Sequence, residues 1–273
     1  MATNADYKPG VPYKEENERL YDGLLEVFAE RKAATYAAHL LPLIKPDHFI
    51  LDLGSGPGSI TMDLARLVPD GSVVAADISS DWLGQSRELA KRQGVTNVTF
   101  EVADATNLHQ FADDTFDIVH AHQLLYHVPE QVRAIREMRR VLKPNGIFST
   151  RDLHTWLVSP SPPQLKGWRI LFPQVVEKTG RSESFGSESH IVAHEAGFHK
   201  DKIEVSSWAW EMSTAKSRSA WVSGWKRLLT ERAIEYGMAT EEEMHGYEKA
   251  WEEWAGKGES RFIAVDGATL AWK

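Results

Sequence analysis

Cysteine is absent from all 273 residues. Its absence removes disulfides, thiolate nucleophiles and cysteine-ligated zinc together, and it fits a reducing compartment. Long apolar runs are missing as well. No stretch of about 18 apolar residues occurs, and the opening MATNADYKPGVPYKEENERL has no apolar core suited to a signal peptide. A soluble, cytoplasmic protein with no membrane insertion is therefore expected. Positive charge is outnumbered, 31 Lys and Arg against 39 Asp and Glu, for a formal net charge of -8. Such a surface repels phosphate backbones, so no nucleic-acid partner is expected. The one basic cluster, RAIREMRRVLK at 133–143, carries its charges at helical spacing beside Ile135, Met138 and Leu142 and reads as a solvated helix face. Internal repeats and low-complexity tracts do not occur.

What is present is ordinary globular composition, 42% hydrophobic and 26% charged, with a length that suits one large domain or one domain with an insertion. Residues 15–41 read as one or two helices, with Leu20, Leu24, Leu25, Val27 and Phe28 forming an apolar stripe that ends near Pro42. Pro9, Gly10 and Pro12 mark a mobile arm before it. From residue 49 short apolar runs alternate with helical segments: strands at 49–53, 72–77, 98–102, 116–121 and 146–152, helices at 59–68, 80–93 and 129–142, the last closed by a KPNG turn at 143–146. Apolar strands separated by helices make a parallel sheet covered on both faces, a doubly wound α/β fold whose ligands bind beyond the carboxyl ends of the strands. Beyond Asp152 the aromatic and proline content of 155–185 suggests loop and short helix. A helix is expected at 187–196, a strand at 203–211, helices at 214–236 and 240–254, and a last strand at 261–271.

The stretch ILDLGSGPGSI at 50–60 joins an apolar run to glycines at 54, 56 and 58, with Asp52 two residues before the first. A nucleoside triphosphate needs GxxxxGK[ST], and no Lys comes after these glycines. A dinucleotide fingerprint places its third small residue where Ser59 stands. S-adenosylmethionine is the remaining candidate, and Asp52 favours it. A carboxylate at the end of the first strand meets a pyrophosphate with like charge but suits the ammonium of an amino-acid moiety. Asp77, at the end of the second strand, can accept hydrogen bonds from both ribose hydroxyls, a role shared with dinucleotide sites. Ile78 can lie against an adenine face, and Asp104, in the ADA after the third strand, can accept from the adenine amino group. Asp77 and Asp104 also suit helix or turn caps.

Five segments in register, ILDLGSGPG, VVAADIS, VTFEVADATNL, FDIVHAHQLLYHV and MRRVLKPNGIF, span residues 49–152. In order and spacing they resemble the class I S-adenosylmethionine-dependent methyltransferases, closest to the small-molecule branch typified by ubiquinone and menaquinone biosynthesis C-methyltransferases. The resemblance implies S-adenosyl-L-methionine as cofactor and a Rossmann-like seven-stranded sheet whose last strand is antiparallel. It implies that Asp52 with Gly54, Ser55, Gly56 and Gly58 holds the methionine part, Asp77 the ribose, and Asp104 with Ala105 the adenine. His120 then lies at the mouth of the fourth strand beside the methionine group. The organisation expected is a single domain over 1–273. It comprises a helical arm or cap at 1–45, a cofactor-binding core at 46–152, substrate-side insertions at 153–200 and 212–258, and closing strands at 203–211 and 261–271. A monomer or homodimer is expected.

A sulfonium methyl is already activated, so the enzyme's task is to align a nucleophile and exclude water, with a base needed only if that nucleophile must lose a proton. In HAHQLLYHVPE, His122 and Gln123 come directly after the strand end and are expected to point into the crevice. His127 stands where phosphoethanolamine-type methyltransferases of this fold hold a catalytic His paired with a Tyr of the amino-terminal arm. Tyr13 and Tyr21 could supply that Tyr, at the reacting atom or over the cofactor. A His at this place also serves to tie down the loop. His154 is a further crevice candidate. Asp152 and His154 invite comparison with catechol-type O-methyltransferases, but the further carboxylate and amide ligands have no counterpart, and no metal is expected. Neither a [DNS]PP[YF] sequence nor a double-glutamate loop comes after the fourth strand, which leaves a small-molecule substrate. The segment 155–185 could wall an apolar acceptor, with Trp208, Trp210, Trp221 and Trp225 opposite, although Trp221 and Trp225, four apart, equally suit helix packing. The expected function is methyl transfer to an O, N, S or C atom of a small, largely apolar acceptor. The alternative is a fold relative that binds S-adenosylmethionine in a regulatory or non-transfer role, pericyclic or lyase. An NAD-dependent oxidoreductase is disfavoured by Asp52 and Ser59.

Overall fold

The computed structural model describes residues 30–178 and 185–273, the side chains of 225–229 apart. Seven strands form one sheet in the order β3-β2-β1-β4-β5-β7-β6: β1 (Phe49–Leu53), β2 (Ser72–Asp77), β3 (Val98–Val102), β4 (Phe116–His122), β5 (Leu142–Ser159), β6 (Ile203–Met212) and β7 (Arg261–Trp272). β1 pairs in parallel with β2 and β4, β2 with β3, and β4 with β5. β7 is antiparallel to β5: the Asn145 amide donates to the Lys273 carbonyl at 3.1 Å and the Lys273 amide to the Gly146 carbonyl at 3.0 Å, so the end of one strand meets the beginning of the other. The strand order reverses between β1 and β4, the place where a doubly wound sheet opens a crevice.

The central strands are apolar on both sides because both sides are covered. Ile50, Val73, Ile118 and Ile147 pack with Ile60 and Leu64 of α2 (Ser59–Leu67) and with Ala33 of the single turn α1 (Ala33–Tyr36). Leu51, Leu53, Val119 and Phe148 pack with Ala134, Ile135 and Met138 of α4 (Gln131–Val141) and with Phe185 and Ala193 of α6 (Phe185–Glu195). Between α2 and α4 in the chain comes α3 (Ser80–Gln93), capped by the Ser79 hydroxyl and closed by Gly94. The basic run is the outer face of α4, where Arg140 meets Glu137 and Asp113.

Three expectations change. The one or two helices expected at 15–41 lie mostly outside the described residues; the described end breaks into α1 and a 3-10 turn over Leu41–Leu43, with Ala37 and Leu40 drawn into the core between them. The KPNG turn is not a turn but a bulge inside β5. The pairing steps from Phe116 with Leu142 to Ile118 with Ile147, and Asn145 sits at φ 64°. Neighbouring strands absorb the loop, because Lys143 pairs with Asp117 and β7 takes up the backbone at 145–146. Finally, β5 runs on to Ser159 and is succeeded by α5 (Lys166–Lys178) with Pro173 inside it. Burial alternates along the strand end, Trp156 and Val158 in, Leu157 and Ser159 out, and buried Trp168, Leu171, Phe172 and Val175 hold the helix through its proline.

The described residues divide into two units, one of 30–154, 185–208 and 265–273, the other of 155–178 and 209–264. In the second, α5, α7 (Ala215–Glu235) and α8 (Glu241–Gly256) contribute Trp168, Phe172, Trp221 and Trp251 to an aromatic core that Trp156 of β5 and Phe262 of β7 complete. Trp221 therefore packs its helix, 4.1 Å from the Phe262 ring, while the Trp225 side chain lies outside the described residues.

Candidate functional site

The glycine loop leaves β1 at Leu53 and enters α2 at Ser59. Its shape is fixed by β2. The amides of Gly54 and Ser55 both donate to the Ala76 carbonyl, and the Gly56 amide donates to Asp77 Oδ2 at 2.9 Å. Asp77 Oδ1 accepts from the Ser79 amide at 2.9 Å. One carboxylate thus organises the loop on one side and the start of α3 on the other, and burial raises its pKa against those hydrogen bonds. A Cβ built on Gly56 would meet nothing within 4 Å, so the loop opens onto free space there. Ile78, 46% exposed, stands beside it as a bare apolar surface. Asp104 is exposed and its Oδ1 accepts from the amide and hydroxyl of Thr106, while Ala105 is buried.

Asp52 is more withdrawn than a residue at the lip of the crevice would be. It is 3% exposed, and the Thr61 hydroxyl donates to its Oδ2 at 2.5 Å. Burial raises its pKa to about 6, the Thr61 bond opposes that, and the charge of Asp77 adds to it. Two acids therefore share one corner.

The strand register sets a second group on the same face. Asp52 pairs across the sheet with His120, and His120 with Ser149; His122 pairs with Arg151. The Ser149 hydroxyl lies 3.0 Å from both His120 Nδ1 and His39 Nε2. Burial, with the neighbouring positive groups, lowers His39 to about 3 and His120 to about 4, so both rings are neutral. The Arg151 guanidinium is fully buried, pairs with Asp266 at 2.9 Å, donates to the Thr35 carbonyl and lies over the rings of Tyr36 and Trp208. Arg31 donates to Gln123 Oε1 at 2.6 Å, holding that residue at φ 49° just past the end of β4.

On the opposite face, Asp152 is buried, accepts from the Thr150 hydroxyl at 2.6 Å and from the Tyr126 amide, and is pushed to about 7 by burial. It anchors the 3-10 turn Leu125–His127. His127 is nearly buried with its ring 3.6 Å from that of Tyr126. His154 is exposed on β5. Tyr13 and Tyr21 lie outside the described residues. Among the described residues no group of three or more His, Asp or Glu could hold a metal ion, and no helix is long and apolar enough to cross a membrane.

The structure thus brings together Asp52, Gly54, Ser55, Gly56, Asp77 and Ile78 in one corner, with His120, His122 and Gln123 at the end of β4. Sequence reasoning missed Arg31, Tyr36, His39, Ser149, Arg151 and Asp266. One signal was available: in GIFSTRD, Ser149 and Arg151 alternate onto the face of Ile147, and an arginine inside a buried strand requires a partner.

A family model described as a methyltransferase domain matches residues 44–208. The protein named probable methyltransferase ltbC of Aspergillus luteorubrus is 32% identical over 269 residues, 91% of this chain and 94% of its own. A ubiquinone/menaquinone biosynthesis C-methyltransferase of Vibrio parahaemolyticus is 40% identical over 104 residues, 37% of this chain and 40% of that one. The solved structure of the YcgJ protein from Bacillus subtilis has the same fold, with a TM-score of 0.58 at 19% identity over 86% of this chain and 98% of that chain.

Proposed function

The chain belongs to the class I S-adenosylmethionine-dependent methyltransferases, and on that premise we propose that it methylates a small, largely apolar organic molecule in the crevice beyond β1 and β4. The observation that carries the cofactor assignment is the pair of acids at the ends of β1 and β2, Asp52 buried and Asp77 half-buried. The charge of Asp77 adds to the cost of ionising Asp52, a cation in that corner relieves it, and a diphosphate would worsen it. The residues present fit S-adenosylmethionine: a buried acid for its ammonium, an acid with both oxygens preset by backbone amides for a diol, an exposed Ile78 for a flat ring, and open space over Gly56.

When bound, the cofactor supplies a sulfonium methyl that needs no further activation. The chain's own residues then have three tasks. Asp77, with Ile78, Asp104 and Ala105, binds the adenosine end. Asp52, Gly54, Ser55, Gly56, His120 and Gln123 bind the methionine end, Asp52 acting through its charge. His122 meets the acceptor, and His127, its ring tilted against that of Tyr126 in the turn anchored by Asp152, shapes the wall behind it. Calorimetric titration with S-adenosylhomocysteine tests the assignment. Asp52→Ala is expected to lose about 1.5–3 kcal/mol of binding, the range of a hydrogen bond to a charged group, which is roughly a 10- to 150-fold rise in Kd. Unchanged affinity, or NADH binding as tightly as S-adenosylhomocysteine, would contradict it.

A further inference from the structure

We propose that the cleft between the last turns of α3 and the start of β3 is a second ligand site, which binds an apolar carboxylate through Arg87 independently of the cofactor. The inference does not rest on the methyl-transfer reading.

The cleft has a volume of about 380 Å³, within the range of about 300–1,000 Å³ usual for small-molecule pockets. Arg87, Ala90 and Lys91 line it from α3, Val95 and Thr96 from the connection, and Phe100 from β3. It lies at the far end of the sheet from the cofactor corner. Where β2 runs parallel to β3, Val73 meets Val98 at one end and Asp77 meets Val102 at the other, and α3 leads back from the Asp77 end to the first. β3 is an outermost strand, so among the described residues no further strand closes the cleft on that side.

The wall is apolar and the rim is cationic. Ala90 is buried, Val95 and Phe100 are half-buried, and the stems of Arg87 and Lys91 add methylene surface. Arg87 is exposed, with its guanidinium carbon 5.3 Å from the centre of the Phe100 ring and Nη2 3.5 Å from the Phe100 carbonyl oxygen, a contact too long to occupy it. It has no acidic partner among the described residues. Glu88 is taken up by Lys91 at 2.6 Å, and Glu101, the one acid of β3, alternates to the face opposite Phe100. This end of α3 thus sets Arg87, Lys91 and Arg92 against Glu88, a local positive surplus in a chain of net charge -8. Lys91 and Arg92 suit a helix carboxyl terminus by themselves; Arg87 stands a turn earlier and is not explained that way. A guanidinium lying over an aromatic ring offers planar N–H donors beside an apolar wall. A carboxylate joined to an apolar body matches both, and an ammonium on the same body matches only the wall.

The probe is 2-naphthoate, compared with 2-naphthylmethylamine, its ammonium counterpart, titrated into nitrogen-15-labelled protein with and without S-adenosylhomocysteine. The amides of Gly94, Val95 and Thr96 should shift and saturate with a Kd of about 1 mM or below, alike in both conditions, and the amine should bind at least about fivefold more weakly. Arg87→Gln should lose about tenfold in naphthoate affinity, and Arg87→Glu should reverse the order of the two probes, both at unchanged Tm because Arg87 is exposed. Thr96→Trp, which fills the cleft from an exposed position, should block naphthoate. No saturable shift at Gly94–Thr96 up to about 10 mM, equal or tighter binding of the amine, an Arg87→Glu protein that still prefers naphthoate, or displacement of naphthoate by S-adenosylhomocysteine would overturn the inference and leave the methyltransferase reading standing. Failure of S-adenosylhomocysteine to bind would count against that reading alone, since the titration without it still decides the cleft.

Discussion

Gly56 and Gly58 sit two residues apart in one loop, both left-handed, at φ 54° and 85°, yet alanine should do different things at each. At either position the backbone costs about 1–2 kcal/mol, the penalty for a Cβ in the left-handed region. At Gly58 the added Cβ would fall 2.0 Å from Ser86 Oγ, 2.9 Å from Ser86 Cβ and 3.3 Å from its backbone, because α2 and α3 approach there. Forced overpacking adds about 1–3 kcal/mol, so Gly58→Ala should lose about 2–5 kcal/mol of stability, roughly 5–15 °C in Tm for a chain of this size. At Gly56 the Cβ meets nothing. Gly56→Ala should therefore lose only the backbone cost in stability, while filling the space assigned to the cofactor and weakening S-adenosylhomocysteine at least tenfold. Urea unfolding and calorimetry on the same samples separate the two effects. Adding Ser86→Gly to Gly58→Ala should give a favourable coupling of about 1–3 kcal/mol in a double-mutant cycle. A Gly56→Ala protein that binds the ligand like wild type refutes the cradle, and a Gly58→Ala protein of full stability refutes the close approach.

Acid should unfold the protein through its buried histidines. His39, His120 and His122 have folded pKa values below the usual 6.5, so the unfolded chain binds more protons there. Their contribution is complete above about pH 6.5 and lost as pH falls toward 4; stability unchanged from pH 7 to pH 4 in urea titrations would contradict this. Asp152 works in the opposite sense. With its folded pKa near 7 against 3.8 unfolded, the native state holds the extra proton, and its contribution fades as pH rises through 7. Asp152→Asn should gain on wild type by about 1.4 kcal/mol per pH unit between about pH 4 and 7, read from urea midpoints at pH 5, 6 and 7. In the other unit, the buried Arg218 donates to the carbonyls of Ser213, Ala255, Lys257 and Ser260. Arg218→Met leaves them without their donor and should cost about 3–5 kcal/mol in urea unfolding, and Arg218→Lys should recover little because one ammonium cannot reproduce the fork.

The parallel core was legible because its signals are local. Each strand is a short, mostly apolar run, each helix has its periodicity, and Ser79 and Gly94 stand at the two ends of α3. The segment after β5 was harder to read, since Pro173 argues against a helix by local rules and the burial of Trp168, Leu171, Phe172 and Val175 keeps it. KPNG has the composition of a turn; the pairing of β7 with residues 145–146, about 130 positions away in the chain, makes it a bulge. The corner proposed for the cofactor was readable from one loop and three strand ends. The buried polar group around His120 and Arg151 was not, because it is assembled from contacts such as His39 with Ser149, 110 residues apart, and Arg151 with Asp266, 115 apart.

The two polar groups on opposite faces of the sheet come from two short stretches, HAH at 120–122 and STRD at 149–152. Alternation sends His120, His122, Ser149 and Arg151 to the face of α1 and α2, and Thr150 and Asp152 to the face of α4 and α6. A slip of one residue in β4 would exchange both histidines for Val119 and Ala121, so the chemistry of the crevice depends on the same register that builds the core. Imidazoles held neutral by burial at the strand ends, and carboxyls whose ionisation burial makes costly, are stability given up for binding. A ligand that fills the corner returns part of it. At a concentration of 100 times its Kd, S-adenosylhomocysteine should stabilise the fold by about 2.7 kcal/mol through linkage alone.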